Sequence, residues 1–380
     1  MNHSENAFIF DLKNYPEENQ ELIEIPKFLQ PIYRKYSDLV AEGKIIDGKI
    51  YLERFLSSYF NGDTNQSNQL SIQEAILLYL YGRLCQRLGN YLKAAEVYQE
   101  AINVGNRVAY PIVQISAGIN LALLELHRGS YNLSEQILNV TENLLSTLDK
   151  GSSELKTWRD IKKIELLEYS ARLFTLRRQF SWAEARIMDI YKLSKKNITD
   201  YGNIALYQSK AYLAYHQGNF ALAIEYYGTA LAEAHEIKSG MDIFKLELGF
   251  SEALLAIFIV FRHEFHYKQL EEVIERLNTI ARENYIFSSL PSIVMLKATL
   301  VIENNNDYDG AIKELKNLEK FIEIKGLEQD NTILKEIKSF KDHLIARKEV
   351  LANAPHGLEN PDKNILDYLR NAALAIQGDS

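Results

Sequence analysis

A short recurring pattern constrains the fold of this chain more than any other feature of its sequence. Segments such as LGNYLKAA (88–95) and QGNFALAI (217–224) place a turn residue two positions before an aromatic residue. The turn position holds glycine in three of six copies, and the aromatic position is filled in all six. The turn positions are Gly89, Gly129, Arg178, Gly218, Phe265 and Asn306, and the aromatic residues are Tyr91, Tyr131, Phe180, Phe220, Tyr267 and Tyr308. The turn positions recur every 40–49 residues. Repeats of this length predict stacked structural units instead of one globular core.

Small residues recur on both sides of the turn positions. Gly82 and Ala122 lie seven residues before the first two turns, and Ala94 and Ala223 lie five residues after two of them. Glycine adopts positive φ at little cost, so the turn position can end one helix and let the next run antiparallel to it. Small side chains then let the two helices approach closely. Because one pair cannot bury its apolar face alone, we predict about six pairs stacked into a curved all-α array that does not close on itself.

The composition agrees with a helical chain that binds neither nucleic acid nor membrane. Only 7 Pro and 18 Gly occur among 380 residues, too few for a chain rich in strands and tight turns. The net charge of −8 provides no basic footprint for nucleic acid. The longest apolar run is about ten residues, and a membrane span needs about 20. The single cysteine, Cys85, excludes an intrachain disulfide framework and favours a cytoplasmic location.

The repeated residues resemble the tetratricopeptide repeat (TPR). The resemblance covers roughly residues 75–325, and it is clearest in the first copy (82–101) and the fourth (211–230). Successive turns lie 40–49 residues apart, compared with about 34 in the common form. Similar spacing occurs in kinesin-light-chain-type repeats and in bacterial peptide-pheromone receptors of the Rap type. The resemblance implies an α-solenoid, a right-handed superhelix in which the first helix of each pair lines a concave groove.

Helical flanks are predicted on both sides of the repeats. Two helices are expected, over residues 26–41 and 49–60, and a capping box at Ser71 and Glu74 is expected to open the first repeat helix. The predicted divisions are an acidic, loosely ordered N-terminus (1–25), an N-terminal helical region and linker (26–66), TPR-like repeats (71–326), a C-terminal capping helix (327–352), and a linker with a short amphipathic tail helix (353–380).

The sequence contains no arrangement typical of catalysis. It has no Gly-rich phosphate loop, Walker motif or nucleophile elbow. His263 and His266 do not form the HExxH zinc pattern and lack a third ligand, so a solvated or capping role is favoured. Cys85 falls inside a repeat helix, where a buried structural thiol is expected. We therefore expect a non-enzymatic protein with no catalytic residue, no metal and no cofactor.

Candidate binding residues come from the first helix of each pair, ten and six residues before the turn. These positions are polar or aromatic in three units and aliphatic in the other three. The first group is Tyr79 and Arg83, Glu168 and Arg172, and Gln208 and Tyr212; the second is Ile119 and Leu123, Leu255 and Ile259, and Leu296 and Leu300. Glu168 and Arg172 could simply pair along their helix.

The functional interpretation is a mixed groove with Tyr and Arg anchors, residue types that are enriched in binding hot spots. The resemblance to kinesin-light-chain repeats adds Asn120, because an Asn at that position can bond a peptide backbone. The predicted wall and floor residues are Tyr79, Arg83, Arg172, Gln208, Tyr212 and Tyr215 on the wall and Asn120 at the floor.

The favoured function is a scaffold or adaptor that binds a protein or peptide segment, and a homo-oligomer is compatible with the sequence. The alternative is a signalling-peptide receptor of the Rap type with an N-terminal effector region. A polar cluster on residues 26–60 would favour the effector, and an apolar capping face would favour the scaffold. The two-carboxylate clamp of chaperone-binding repeats is not matched, which argues against a receptor for chaperone tails.

Exposed aliphatic side chains on the inner face of units five and six would be a liability. We therefore expect them to be covered, either by the tail helix over residues 361–376 or by a second protein. The rival hypothesis is that the repeats curl tightly and the aliphatic inner faces pack on each other.

Overall fold

The protein is an all-α solenoid. The computed structural model describes residues 45–60, 68–148, 153–196, 200–237, 240–261, 264–283, 286–324 and 331–353, together with Lys35 and Leu39. Within these ranges there are fourteen α-helices and no strand. The helices are α1 (Ile45–Phe60), α2 (Asn68–Arg87), α3 (Tyr91–Arg107), α4 (Pro111–His127), α5 (Tyr131–Thr147), α6 (Ser153–Leu176), α7 (Phe180–Lys196), α8 (Asp200–His216), α9 (Phe220–Glu236), α10 (Gly240–Phe261), α11 (Glu264–Glu283), α12 (Leu290–Asn305), α13 (Tyr308–Ile324) and α14 (Asn331–Asn353).

Helices α2 to α13 form six consecutive pairs, and five of the six predicted turns are confirmed. The five turn residues all have positive φ: Gly89 (80°), Gly129 (75°), Arg178 (58°), Gly218 (82°) and Asn306 (53°). In each of these pairs the second helix begins at the predicted aromatic residue. The turns also satisfy the backbone groups that the helix ends leave free, because Asn90 N donates to Cys85 O at 2.8 Å and Asn219 N donates to Ala214 O at 2.9 Å.

The fifth turn was predicted in the wrong place. Phe265 lies inside α11, which begins at Glu264. In the other five pairs the second helix begins two residues after the turn position, so the equivalent position in this pair is 262. The fifth copy has no glycine to mark its turn, and the aromatic at Tyr267 set the alignment three residues too late.

Two helix starts also differ from the prediction. Helix α1 begins at Ile45, not at residue 49, and it runs through Gly48. Helix α2 begins at Asn68, so Ser71 lies within the helix and does not cap it. The capping-box pattern is present in the sequence, but the three residues before it (68–70) are already helical.

Close approach at small residues holds the pairs together. Ala94, Ala101, Ala223 and Ala311 have no exposed surface. A Cβ added at Gly82 would stand 2.7 Å from the ring of Tyr98, the buried tyrosine of the facing helix. Such positions leave no room for a larger side chain, and they fix the separation of the two helices.

The flanking helices cover the two ends of the array. On α1, Leu52 and Leu56 are buried in the main apolar cluster, and Tyr81 on α2 donates a hydrogen bond to Glu53 Oε1 at 2.7 Å. At the other end, Leu334, Ile337, Phe340 and Leu344 of α14 are buried in the same cluster. Both helices therefore present an apolar face to the repeats.

The array closes on itself, contrary to the prediction of an open curve. One apolar cluster unites α1 to α4 with α10 to α14. At the seam, the short 3₁₀ turn Phe287–Ser289 between units five and six meets the first unit, and Tyr91 Oη donates to Ser288 O at 3.2 Å. Repeats that approach this closely curve strongly, and the seam buries apolar surface that an open array would expose.

The aliphatic residues Leu255, Ile259, Leu296 and Leu300 are buried within this cluster. Their burial is what the hypothesis of a tightly curled array predicted. The tail helix over residues 361–376 and the acidic N-terminus (1–25) lie outside the described residues, as does the helix predicted over residues 26–41 apart from Lys35 and Leu39. None of the helices described is long and apolar enough to cross a lipid bilayer.

The buried small residues yield a stability test. Ala223→Leu and Ala94→Leu should each lower the free energy of unfolding by about 1–3 kcal/mol, because the added methylenes overpack a filled helix contact. The measurement is urea unfolding followed by circular dichroism. The matched control is Ala221→Leu, at an exposed position of the same helix as Ala223. Equal midpoints for Ala223→Leu and Ala221→Leu would contradict the assigned helix contacts.

Candidate functional site

The concave face of the closed array holds a cavity of about 410 Å³. Its wall is built mainly from the first helices α2, α4, α6, α8 and α10, and residues 286–292 complete it at the seam. Because the side chains project inward from five successive repeat units, the cavity follows directly from the stacking of the pairs.

Five of the seven predicted groove residues line this cavity: Arg83, Asn120, Arg172, Gln208 and Tyr212. Asn120 donates its amide to Ser116 O at 3.0 Å, a bond within its own helix. The inward projection of the first helices therefore brings together residues that lie up to 129 positions apart in the sequence.

The other two residues occupy different places. Tyr79 has no exposed surface, and its ring lies 6.1 Å from that of Tyr98, behind the cavity wall. Asn120 Nδ2 reaches its hydroxyl at 3.5 Å. Tyr215 packs its ring 5.5 Å from that of Phe220, and it does not line the cavity. Both tyrosines are therefore used in packing within the array.

Arg172 is the central charged group of the cavity. Its Nη2 lies 3.2 Å from Glu168 Oε1, so the ion pair along α6 that was the simpler alternative does form. The guanidinium carbon also lies 5.3 Å from the ring centroid of Tyr212 on α8, within the range of a cation–π interaction. The Arg172 side chain is 20% exposed, and its Nε is buried without a hydrogen-bond partner in the described part of the chain.

Burial sets the protonation of two neighbours of Arg172. Burial lowers the pKa of His127 to about 4, and the charge of Arg172 acts in the same direction. His127 is therefore neutral at pH 7. Burial raises the pKa of Glu252 to about 7, although the charge of Arg172 opposes this shift. Glu252 is therefore partly protonated at neutral pH.

Arg172 itself keeps its charge. Burial disfavours the guanidinium ion, but Glu168 and the neighbouring tyrosines outweigh burial, so the pKa of Arg172 is raised above its ordinary value.

The sequence prediction missed Glu252 because the fifth turn was misplaced. Position 262 is the equivalent turn position in that pair, and ten residues before it lies Glu252. This is the position that Glu168 and Gln208 occupy in units three and four, and all three residues line the cavity. An alignment on the start of the second helix would have identified Glu252 in place of Leu255.

Other candidates from the sequence take no part in the cavity. Cys85 is fully buried, as predicted for a structural thiol, and burial raises its pKa to about 11. His263 lies outside the described residues, as does the side chain of His266.

The raised pKa of Glu252 predicts a measurable pH dependence of stability. Its folded-state pKa of about 7 exceeds the value of about 4.3 for a free Glu. The folded protein therefore binds more protons than the unfolded chain between these values, and this carboxyl lowers stability as the pH rises through that window. Glu252→Gln should raise the free energy of unfolding at pH 8 by about 1–3 kcal/mol over the wild type and change it little at pH 4.5.

The measurement is urea unfolding of both proteins at the two pH values. Glu184→Gln, at an exposed position on α7, is the control and should behave as wild type at both. A Glu252→Gln effect that is the same at pH 4.5 and pH 8 would contradict the shifted pKa.

The sequence matches no known protein-family model, and no curated protein is significantly similar to it.

Proposed function

We propose that the protein is a non-enzymatic scaffold or adaptor that binds a peptide segment in the cavity of its closed TPR-like array. The observation that carries the proposal is the cavity wall itself, to which five repeat units contribute inward-facing side chains. Its volume of about 410 Å³ lies within the range of roughly 300–1,000 Å³ that is typical of ligand sites. A cavity of that size accommodates a few residues of an extended chain and excludes a folded domain.

The chemistry of the wall also supports a peptide ligand. Asn120 and Gln208 offer amide groups that can bond a peptide backbone. Tyr212 and Tyr169 offer ring surface for apolar side chains. The resemblance of the repeats to tetratricopeptide arrays, whose concave face binds peptide segments, agrees with this assignment.

The N-terminal helix α1 favours a scaffold over a receptor with an effector region. An effector would be expected to present a polar surface, whereas Leu52 and Leu56 of α1 are buried against the repeats. This helix supports an interpretation as a cap on the array. We further infer a cytoplasmic protein, on the basis that its one cysteine is a buried free thiol.

The proposal is tested by selecting binders from a library of random heptapeptides displayed on phage, with the full chain as bait. Synthetic versions of the selected peptides should bind the wild type, and Arg83→Ala and Tyr212→Ala should each weaken their affinity about tenfold or more, since Arg and Tyr anchors dominate such interfaces. Isothermal titration calorimetry gives the dissociation constants.

The matched control is Trp182→Ala, because Trp182 is 64% exposed and does not line the cavity. Selected peptides should bind this variant as tightly as the wild type. Peptides whose affinity falls with Trp182→Ala, and not with the two cavity variants, would place binding on another surface and refute the proposal.

A further inference from the structure

The cavity is basic although the protein as a whole is acidic. The net charge of the chain is −8. Among the lining residues, five arginine and lysine side chains face three carboxyl groups, and the lining includes no other Asp or Glu. One of the three is Glu252, whose pKa of about 7 leaves it partly neutral at physiological pH. Basic side chains therefore outnumber acidic ones in the lining, and one of them, Arg128, is paired with Glu125 at 2.7 Å.

Arg172 has hydrogen-bond donors that an anionic ligand could use. A guanidinium carries five N–H donors, and within the described residues the polar partner of this one is a single Glu168 oxygen at 3.2 Å. The guanidinium carbon also lies 6.0 Å from the ring centroid of Tyr169 and 5.3 Å from that of Tyr212. The Arg172 side chain is only 20% exposed. Leaving N–H donors of such a group without acceptors costs folding free energy, unless a ligand or water accepts their hydrogen bonds.

Gln208 is a second polar residue of the cavity wall. Its side chain lines the cavity and the residue is 8% exposed. Its amide carries two N–H donors and one acceptor oxygen. Gln208 lies one helical turn before Tyr212, the residue whose ring supports the guanidinium of Arg172. Arg172 on α6 and Gln208 on α8 therefore line the same cavity where these two helices pack.

This pair of donors fits a carboxylate better than a phosphate. A guanidinium fork binds a planar carboxylate through two parallel bonds, and an amide N–H can satisfy a further lone pair. Glu168, Asp242 and Glu252 lie on the same wall and would repel a group with two negative charges. The neighbouring tyrosine rings provide apolar surface for the side chain next to the carboxylate.

We propose that the peptide bound in this cavity presents a carboxylate to Arg172 and Gln208. This inference rests on the proposed function and specifies its ligand. The carboxylate can come from the C-terminus of a free peptide or from an Asp or Glu side chain within a longer segment. These residues differ from the two-carboxylate clamp of chaperone-binding repeats, which the sequence does not match.

The test uses the full chain and three mixtures of N-acetylated pentapeptides that are randomised over Ala, Leu, Phe, Tyr and Asn. The first mixture has a free C-terminal carboxylate, the second has a C-terminal amide, and the third has a C-terminal amide with one Asp at each position in turn. Peptides that co-elute with the protein in gel filtration are quantified by mass spectrometry. We expect at least tenfold greater retention of the first or the third mixture than of the second. Preference for the first identifies a C-terminus as the source, and preference for the third identifies an acidic side chain.

The preference should depend on the two donors. Arg172→Met and Gln208→Leu should each reduce it several-fold, and Arg172→Lys, which keeps the charge and loses the planar fork, should also reduce it. Arg186→Met is the control, because Arg186 pairs with Glu142 and does not line the cavity, so this variant should keep the wild-type preference. Circular dichroism confirms the folding of each variant.

Two kinds of result would overturn the inference, and only the second would also refute the proposed function. Equal retention of all three mixtures would refute the carboxylate, and a preference that Arg172→Met and Gln208→Leu both leave intact would refute its assignment to these residues. Both results would leave peptide binding standing. Retention of no peptide from any mixture would refute both the carboxylate and the proposed function.

Discussion

The close contact between paired helices at alanine and glycine positions determines the geometry on which the rest of the molecule depends. Ala94 and Ala223 are fully buried, and the ring of Tyr98 fills the space that a side chain at Gly82 would need. The helix separation fixed by these contacts repeats from pair to pair, so small rotations add up along the array. Over five repeat units these rotations bring the 3₁₀ turn at Phe287–Ser289 back to the first unit. The inner face of the array is therefore a cavity and not an open groove.

Closure changes the electrostatics of the inner face. On an open groove, Arg172, His127 and Glu252 would be solvated and close to their ordinary pKa values. Within the closed array, burial makes His127 neutral and leaves Glu252 partly protonated, and Glu168 keeps Arg172 charged. Replacing one partner of the Glu168–Arg172 pair would leave a buried charge uncompensated and would therefore lower the stability of the fold.

Much of this fold was predictable because its signals are local. A left-handed turn residue followed by an aromatic can be read from adjacent positions, and it located five helix junctions, including those at Arg178 and Asn306, which lack glycine. Where the glycine was missing and the aromatic was shifted, in unit five, the register was wrong and Glu252 was overlooked. Closure was not predictable, because it depends on the sum of small angles between pairs and not on any one residue. Tyr79 was misplaced for a related reason, since only the packed structure shows that its ring is used against Tyr98.

Closure of the array brings Tyr91 and Ser288 together at the seam, and a distance measured across the seam in solution shows whether the array is closed. Spin labels at Leu92→Cys and Ser289→Cys flank the contact, and the native Cys85 is fully buried and protected from labelling. Double electron–electron resonance should give one narrow distance at the short end of its range. A broad distribution of long distances would mean that the array is open in solution, and the cavity described above would then not exist as a single site.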